Sequence, residues 1–279
     1  MTGSSGRAGP AAYALGSDPA ESARLRRQSE ELKPYAAELI GRIGLRPGQT
    51  AVDLGCGPSG ILDLLAAAVA PGGHVTGLDA DAEHVTMARQ HVAERGLAGV
   101  EIRHGDARDT GLAAGSFDLV HSRTLLVTVP DPAEVVAEMV RLARPGGWVA
   151  SEEPDAADSL CYPSIPAWDR LNELFRASFG RDGADLRIGR RLTELFRAAG
   201  LEEVQVTAHS PLFPAGHSRR TIRPDLVRSL RPVIIQLGLA DEAELDRLDR
   251  QVREHLADRT VIVMSHLLFV AWARKPAET

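Results

Sequence analysis

The chain is 279 residues long, which is enough for one large α/β domain with insertions. Apolar residues make up 44% and charged residues 25%, the composition of an ordinary soluble globular protein rather than a disordered or membrane one. The formal charge of −6 offers no broad basic surface, so neither DNA nor RNA is expected as a partner.

Cysteine content and hydropathy indicate where in the cell the protein is expected. Cys56 and Cys161 are too few for a disulfide framework and lack metal-ligand spacing, so no metal site is expected. The N-terminal residues lack the apolar core of a secretion signal, and the longest apolar run, 261–273, is too short to span a bilayer. These features predict a cytoplasmic protein that is not associated with a membrane.

The first half of the chain predicts a regular α/β pattern. Two helices, 19–32 and 34–43, are expected to meet at a break caused by Pro34. From Gln49 onward, apolar strands alternate with amphipathic helices, as in a doubly wound parallel sheet. The predicted strands are 50–54, 74–78, 100–103, 117–121 and 147–152, and the helices between them are 59–70, 81–95 and 132–143. Right-handed crossovers would bring the loops that follow these strands to one edge of the sheet.

Beyond Pro154 the alternation breaks. The sequence predicts an extra helix at 164–180, a regular helix at 190–199, a strand at 202–208, helices at about 218–237 and 241–257, and a last strand near 261–273. We therefore assign residues 1–45 to an N-terminal arm with helices. Residues 46–279 form the α/β domain, with helical insertions at about 156–187 and 218–258 that are placed to roof a pocket.

A glycine-rich segment follows the first predicted strand. Gly55, Gly57 and Gly60 satisfy the G-x-G-x-x-G pattern at a turn from a strand into a helix, where glycine permits a tight backbone path. Asp79 ends the next strand, where a carboxylate can accept hydrogen bonds from both ribose hydroxyls. These features predict a nucleotide-like ligand and leave its identity open.

Two further acids discriminate between candidate ligands. Asp53 lies two residues before the first glycine, and Asp106 follows the third strand. A dinucleotide would place its pyrophosphate on the glycine loop, where a neighbouring carboxylate is unfavourable. S-adenosylmethionine carries a sulfonium and an ammonium group instead, so the acids favour it over NAD. Asp106 is then expected to accept a hydrogen bond from the adenine amine.

Five segments resemble, in order, the motifs of class I S-adenosylmethionine-dependent methyltransferases: 52–60, 77–79, 105–107, 117–120 and 142–147. The resemblance extends from about residue 36 to the C-terminus. It implies a Rossmann-like sheet of seven strands, mostly parallel, whose antiparallel last strand, 263–274, lies beside strand 202–208. It also implies S-adenosylmethionine as the cofactor, with contacts at the matching positions Asp53, Gly55, Cys56, Gly57, Asp79, Gly105, Asp106 and Ala107. Ala80 and Ser122, which lie just beyond the matching segments, are further candidate cofactor contacts.

A narrower resemblance involves the N-terminal residues. Tyr13 to Gly16, followed by Arg24 to Gln28, is similar to the N-terminal segment of small-molecule methyltransferases from actinobacterial natural-product biosynthesis. It implies that Tyr13 and Gln28 contact the methionine end of the cofactor. Those relatives often have His-Leu-Pro-Asp-Pro after the fourth strand, whereas this chain has Thr-Val-Pro-Asp-Pro at 128–132, so a catalytic histidine there is not carried over.

Methyl transfer depends mainly on holding the acceptor in line with the methyl group, and it needs a general base only if the acceptor must lose a proton. Glu153 and His121 are the candidate bases. Alternatively, His121 is a partly buried structural imidazole, and Glu152 and Glu153 form a solvated rim. Arg123 is expected to hold a cofactor or substrate carboxylate. Trp168 and Phe175 recur at helical spacing and either belong to the core or line an apolar acceptor pocket.

The sequence therefore predicts methyl transfer to a small, hydrophobic metabolite, with the acceptor atom open between oxygen, nitrogen and carbon. One alternative is a non-methylating member of the fold, a cyclase or a binding protein, that retains the cofactor. A less favoured one is an NAD-dependent oxidoreductase, which Asp53 and the absence of a Ser-Tyr-x-x-x-Lys set disfavour. Exchange of the N-terminal arm would make a homo-oligomer, but the sequence leaves the oligomeric state open.

Overall fold

The computed structural model describes residues 19–157, 159–179, 183–210 and 212–277. Its strands are β1 (Thr50–Leu54), β2 (His74–Asp79), β3 (Val100–His104), β4 (Phe117–Arg123), β5 (Ala143–Asp155), β6 (Leu160–Tyr162), β7 (Glu202–His209), β8 (Ile262–Met264) and β9 (Leu267–Arg274). Its α-helices are α1 (Pro19–Ile43), α2 (Leu62–Val69), α3 (Ala82–Arg95), α4 (Pro132–Leu142), α5 (Pro166–Phe179), α6 (Ile188–Ala198), α7 (Ile222–Ser229), α8 (Arg231–Gln236) and α9 (Glu242–Ala257).

Seven strands form the central sheet in the order β3-β2-β1-β4-β5-β9-β7. Strands β1 to β5 pair in parallel, whereas β9 runs antiparallel to both of its neighbours, β5 and β7. This arrangement confirms the Rossmann-like α/β fold and the position of the reversed last strand. The strand order reverses between β1 and β4, which is where sheets of this kind bind their ligands.

Helices cover both faces of the sheet. One apolar cluster includes Leu39 of α1, Leu65 of α2 and Val85 of α3. The other includes Met139 of α4 and Phe196 of α6. Because helices cover both faces, side chains on both sides of β1 are buried: Val52 and Leu54 on one face, and Ala51 and Asp53 on the other. This is typical of parallel sheets.

The predicted break at Pro34 is wrong. Helix α1 is a single helix of 25 residues, and Pro34 lies inside it. Proline removes one helical hydrogen bond, at a cost of roughly 3 kcal/mol. Leu32, Leu39 and Ile43 are buried on one side of α1, which packs against α2 and β9. Burying each of these side chains contributes about 1.5–3 kcal/mol, so the packing offsets the lost bond.

The second insertion is more divided than predicted. Residues 218–237 form a 3-10 helix (Ser218–Thr221), then α7, then α8. Pro232 lies in the first turn of α8 and has no N–H to extend α7. The predicted strand 261–273 likewise separates into β8, which pairs with β6 in a two-stranded sheet, and β9. Within the described residues, no helix has the length and hydropathy needed to cross a bilayer.

Candidate functional site

A cavity of about 270 Å³ opens at the carboxyl edge of the sheet. Its walls come from the glycine loop, the end of β2, the segment after β3, the end of β4 and helix α1. The predicted cofactor residues on these walls are Gly55, Gly57, Asp79, Ala80, Gly105, Asp106 and Ala107. The structure thus brings together residues separated by about fifty positions in the sequence, as the strand order predicts.

The glycine loop has the backbone that only glycine adopts easily. Gly55, Gly57 and Gly60 have φ values of +68°, +55° and +49°. A Cβ on Gly55 would lie 2.9 Å from Leu125 Cδ1, and a Cβ on Gly60 would overlap the Asp53 carboxylate. The loop therefore packs directly on β1 and on the segment after β4.

Asp79 organises the wall between the glycine loop and α3. Its Oδ2 accepts a hydrogen bond from the Gly57 amide at 2.8 Å, and its Oδ1 accepts one from the Asp81 amide at 2.9 Å. His84 Nδ1 lies 3.5 Å from the same Oδ1. Burial lowers the pKa of His84, but Asp79 outweighs it and raises the pKa above its ordinary value. A ligand hydroxyl would share this carboxylate with the loop.

Asp106 forms part of the wall beyond β3. Both of its carboxylate oxygens accept hydrogen bonds from the Arg108 guanidinium, at 2.7 to 3.2 Å, and Oδ1 also accepts one from the Arg108 amide at 2.9 Å. The acid is therefore held in place by its neighbour. An adenine amine would donate to carboxylate oxygens that already accept hydrogen bonds from the Arg108 guanidinium.

A charged group lies beneath the glycine loop. His121 Nδ1 is 2.8 Å from Asp53 Oδ1 and His121 Nε2 is 3.1 Å from Glu152 Oε1, and none of the three residues is more than 1% exposed. Asp53 Oδ2 also accepts the Ile61 amide at 3.2 Å. Burial lowers the pKa of His121, but hydrogen bonds to the two carboxylates outweigh it and raise the pKa to about 9. One imidazolium thus faces two carboxyl groups.

Glu153 binds backbone rather than the cavity. Its carboxylate accepts amide hydrogen bonds from Leu125, Leu126 and Val127 at 3.0, 2.9 and 3.1 Å. It is fully buried, which raises its pKa to about 7 against the opposing effect of the amides. This geometry gives no support to the expected general-base role of Glu153, or to that of the equally buried His121. Both side chains hold the walls of the cavity.

Arg123 joins three elements around the glycine loop. Its Nη2 donates hydrogen bonds to Ser29 Oγ of α1 at 2.7 Å and to the Gly60 carbonyl at 3.2 Å. Its Nη1 is buried and has no hydrogen-bond partner among the described residues. Arg123 lines both the main cavity and a smaller one of about 60 Å³ beside the loop. A buried guanidinium with an unused donor fits a ligand carboxylate.

Other predicted cofactor residues lie at the margins of the site. Gln28 and Cys56 line the smaller cavity; Gln28 accepts a hydrogen bond from Arg24 at 2.7 Å, and burial raises the pKa of the Cys56 thiol. Ser122 is buried on the opposite side of β4, with its Oγ 2.9 Å from Ser151 Oγ, and does not reach either cavity. Tyr13 lies outside the described residues.

The two aromatic candidates for the acceptor pocket lie in the core of the helical insertions. Trp168 and Phe175 are 3% and 1% exposed on α5, which packs against α7 and α9. The guanidinium of Arg223 lies 3.9 Å from the Phe175 ring centroid. Neither aromatic ring lines the main cavity, so the structure favours the core interpretation of this stripe.

Sequence reasoning missed several wall residues. Leu25 of α1, His84 of α3, and Leu125 and Thr128 after β4 line the main cavity. Leu25 falls within the segment Arg24 to Gln28 that carried the narrower resemblance, so that resemblance could have identified it together with Gln28. Nothing in the sequence distinguishes His84 from other helical histidines. Among the described residues, no group of three or more His, Cys, Asp or Glu side chains is arranged to hold a metal ion.

Solved structures with this fold include several methyltransferases. A putative methyltransferase from Bacillus halodurans aligns with a TM-score of 0.59 at 18% identity, covering 86% of this chain and 99% of that one. Phosphoethanolamine N-methyltransferase 2 of Haemonchus contortus, solved with S-adenosyl-L-methionine, aligns with a TM-score of 0.53 at 20% identity, covering 85% and 51%. The [4+2]-cyclase SpnF aligns with a TM-score of 0.52 at 20% identity, covering 88% and 82%. At these identities the likeness shows the fold alone.

Sequence comparison identifies the family. An uncharacterized 37.1 kDa protein in transposon TN4556 of Streptomyces fradiae is 35% identical over 187 residues, 66% of this chain and 52% of that protein. Nocamycin O-methyltransferase of Saccharothrix syringae is 37% identical over 131 residues, 47% of each. The chain thus spans about half the length of these two relatives. A family model described as a methyltransferase domain matches residues 45–200. The chain belongs to this methyltransferase domain family, which confirms the resemblance of its motifs.

Proposed function

We propose that this chain binds S-adenosylmethionine in the main cavity and transfers its methyl group to a small organic acceptor. Membership in the methyltransferase domain family supports this proposal. The observation that carries it is a pair of oppositely charged groups in the cavity: the Asp79 carboxylate on one wall and the buried Arg123 guanidinium, with its unused Nη1, on another. A ligand that combines a ribose diol with an amino-acid carboxylate matches this pair.

The residues present fit this cofactor. Arg123 would hold the methionine carboxylate, Asp79 the ribose hydroxyls and Asp106 the adenine amine. When bound, S-adenosylmethionine supplies an electrophilic methyl group on a cationic sulfur. The buried group under the loop, in which His121 faces Asp53 and Glu152, has two carboxyl groups for one imidazolium and so favours a cationic ligand above it. This argues against the pyrophosphate of NAD as well.

The chain's contribution to the reaction is mainly positioning. Leu25, Leu78, Leu125 and Val129 give the cavity apolar walls that exclude water from the reacting groups. Glu153 fixes the backbone of the segment that carries Leu125. Holding an acceptor and a methyl group in line within such a cavity supplies much of the rate of a displacement reaction.

The relatives support a narrower proposal. Nocamycin O-methyltransferase is named for a small-molecule acceptor, and on this likeness we propose a small, largely apolar metabolite of specialised metabolism as the acceptor. We also propose a cytoplasmic location, because Cys56 and Cys161 are free thiols, which suits a reducing compartment. The second candidate is a non-methylating protein that retains the cofactor, and it is kept because a protein titled a [4+2]-cyclase, SpnF, shares the fold. Both candidates require the same cofactor site.

The test is isothermal titration of the purified protein with S-adenosylmethionine, S-adenosylhomocysteine and NAD. The Asp79→Asn variant should lose most of its affinity for both adenosyl ligands. Asp246→Asn is the matched control, because Asp246 is an exposed acid of α9 paired with Arg231, and it should bind as the wild type does. Binding of NAD alone, or of none of the three ligands, would overturn the proposal. Methyl transfer to a panel of acceptors then separates the methyltransferase from the non-methylating candidate.

A further inference from the structure

A second cavity, of about 80 Å³, is lined in part by Glu31, Leu32 and Tyr35 of α1. It is enclosed by α1, the end of β7, the segment that leads into the 3-10 helix, and the start of β9. Polar and aromatic side chains dominate its walls: Tyr35, His209, His217, Arg219, Ser265 and His266. The family motifs include none of these residues.

Arg219 is the exceptional member of this lining. Its side chain is 5% exposed, and burial lowers its pKa. A guanidinium has five N–H donors. Among the described residues, the Arg219 guanidinium donates a single hydrogen bond, from Nη1 to Glu31 Oε2 at 3.4 Å. Buried charges are ordinarily paired and well hydrogen-bonded. Arg219 departs from this rule, because most of its donors have no partner among the described residues.

The adjacent arginine shows what a structural role looks like here. Arg220 is 3% exposed, and its guanidinium donates five hydrogen bonds to four backbone carbonyls, at 2.8 to 3.2 Å. These carbonyls belong to Phe213, Leu256, Asp258 and Val261. The contrast assigns Arg220 to the architecture of the insertion. Arg219, by contrast, lines the cavity and makes one side-chain hydrogen bond within the described part of the chain.

The remaining walls suit an anionic, planar group. Tyr35 packs on His209 with ring centroids 4.5 Å apart, and Phe213 stacks on His217 at 4.6 Å. Burial lowers the pKa of His266 well below its usual value, as do Arg219, Arg223 and Arg24. His266 is therefore neutral at pH 7 and adds polarity without adding charge. Glu31 is the carboxylate on this wall, and it opposes an anion.

Helix α1 contributes residues both to the cavities at the glycine loop and to the second cavity. Leu25 and Gln28 line the cavities at the glycine loop, whereas Glu31 and Tyr35 line the second cavity. Gln28 and Glu31 are three residues apart, which is about 4.5 Å along a helix axis. The two sets of lining residues are therefore less than one helical turn apart on α1.

We propose that the second cavity binds the carboxylate of a small methyl acceptor, with Arg219 as its main partner. The inference rests on the proposed function and names a chemical class for its substrate: an organic acid whose body is planar or apolar. Arg219 would bind the carboxylate through its fork of donors. The stacked pairs Tyr35–His209 and Phe213–His217 would flank the adjoining ring.

Benzoate is the probe, and benzamide is its neutral analogue. The titration follows the histidine ring signals by NMR in protein saturated with S-adenosylhomocysteine, and the His266→Gln variant assigns the His266 signal. Benzoate should shift this signal saturably, and benzamide should not. Arg219→Gln should raise the Kd for benzoate about tenfold or more, because a charge-assisted pair is lost. Glu31→Gln should lower the Kd, because it removes the opposing carboxylate.

Arg228→Gln is the matched control, since Arg228 is an exposed arginine of α7 paired with Asp249, and this variant should bind benzoate as the wild type does. If Arg219→Gln does not fold, Arg219→Lys replaces it and should bind more weakly than the wild type, because lysine has no fork. Failure of benzoate to bind overturns the inference. So does an equal Kd for benzoate in Arg219→Gln and in the control Arg228→Gln. Affinity for S-adenosylhomocysteine, measured separately, reports on the proposed function alone.

Discussion

His121 Nδ1 lies 2.8 Å from Asp53 Oδ1, and this contact joins β4 to the strand that leads into the glycine loop. On the other side of the ring, Nε2 faces Glu152 of β5 at 3.1 Å. Both ring nitrogens face carboxyl oxygens, which accept hydrogen bonds when they are ionised, so this arrangement stabilises the doubly protonated ring. The conformation of the loop is thus linked to the charge on a buried imidazole.

This link predicts a pH dependence of stability. The pKa of His121 is raised from 6.5 to about 9 in the folded protein, so its contribution is fully present below about pH 6.5 and is lost as the pH rises through 9. A shift of this size corresponds to roughly 3 kcal/mol. We expect the free energy of unfolding, measured in urea, to fall by about this amount over that range.

His121→Asn isolates the effect from other titrating groups. The difference in unfolding free energy between wild type and variant should be large at pH 6.5 and should shrink toward pH 9. A difference that does not vary with pH would show that the ring is neutral in the folded protein.

Glu153 provides a second prediction, which separates positioning from catalysis. In Glu153→Gln the side chain keeps one carbonyl oxygen, but an NH2 group replaces the other carboxylate oxygen. This NH2 group faces a backbone N–H that donates to the carboxylate in the wild type, so two donors face each other. Leaving such a buried donor unsatisfied costs about 1–3 kcal/mol. We expect lower stability and a raised Kd for S-adenosylhomocysteine, because the affected segment lines the cavity.

A general base would behave differently. Loss of a base lowers kcat and leaves cofactor affinity unchanged. Glu173→Gln is the control, since Glu173 lies exposed on α5, and it should match the wild type in both measurements. An unchanged Kd with a strongly reduced kcat would restore the catalytic role first expected for Glu153.

The sheet could be predicted from the sequence because short segments rich in apolar residues recur between glycine and proline turns. The central strands are buried on both faces and mostly apolar, whereas the edge strands β3 and β7 are largely exposed and mix apolar with polar residues. The position of β9 came from family resemblance, since nothing in its own residues indicates an antiparallel neighbour. Pro34 was misread because local propensity ignores the burial of Leu32 and Leu39, which depends on α2 and β9. Tertiary packing of this kind lies outside any short window of sequence.

The site was predictable as a place and less so as a set of roles. His121, Arg123 and Glu153 were expected just after the fourth and fifth strands, whereas they lie within the last residues of β4 and β5. Successive side chains in a strand point to opposite faces, so Ser122 and Arg123 cannot both face the cavity, and this rule would have separated them. The burial of His121 and Glu153 follows from contacts with Asp53 and with backbone amides, which no sequence pattern displays.

Gly60 gives a prediction about the loop itself. Alanine at this position meets a positive φ of +49°, and its Cβ would displace Asp53 from the Ile61 amide and from His121. Gly72→Ala is the matched control, because Gly72 has a φ of +82° with no atom within 4 Å of the added Cβ. Gly60→Ala should therefore cost at least about 2 kcal/mol more in unfolding free energy than Gly72→Ala. Equal costs would show that only backbone strain matters at Gly60.

Arg123 provides the sharpest test of how the main cavity is oriented. If its unused Nη1 binds the amino-acid carboxylate of the cofactor, Arg123→Met should raise the Kd for S-adenosylhomocysteine about tenfold or more. 5′-Methylthioadenosine has the same adenosyl group and no carboxylate. Its Kd should therefore change by no more than about twofold in the same variant.

Arg103→Met is the control, because Arg103 is an exposed arginine of β3 paired with Glu101, and neither Kd should change. Arg123 also donates to Ser29 and to the Gly60 carbonyl, so its removal could instead loosen α1 and the glycine loop. That effect would weaken both ligands equally. A selective loss of S-adenosylhomocysteine binding therefore assigns Arg123 to the carboxylate, whereas an equal loss assigns it to the architecture of the loop.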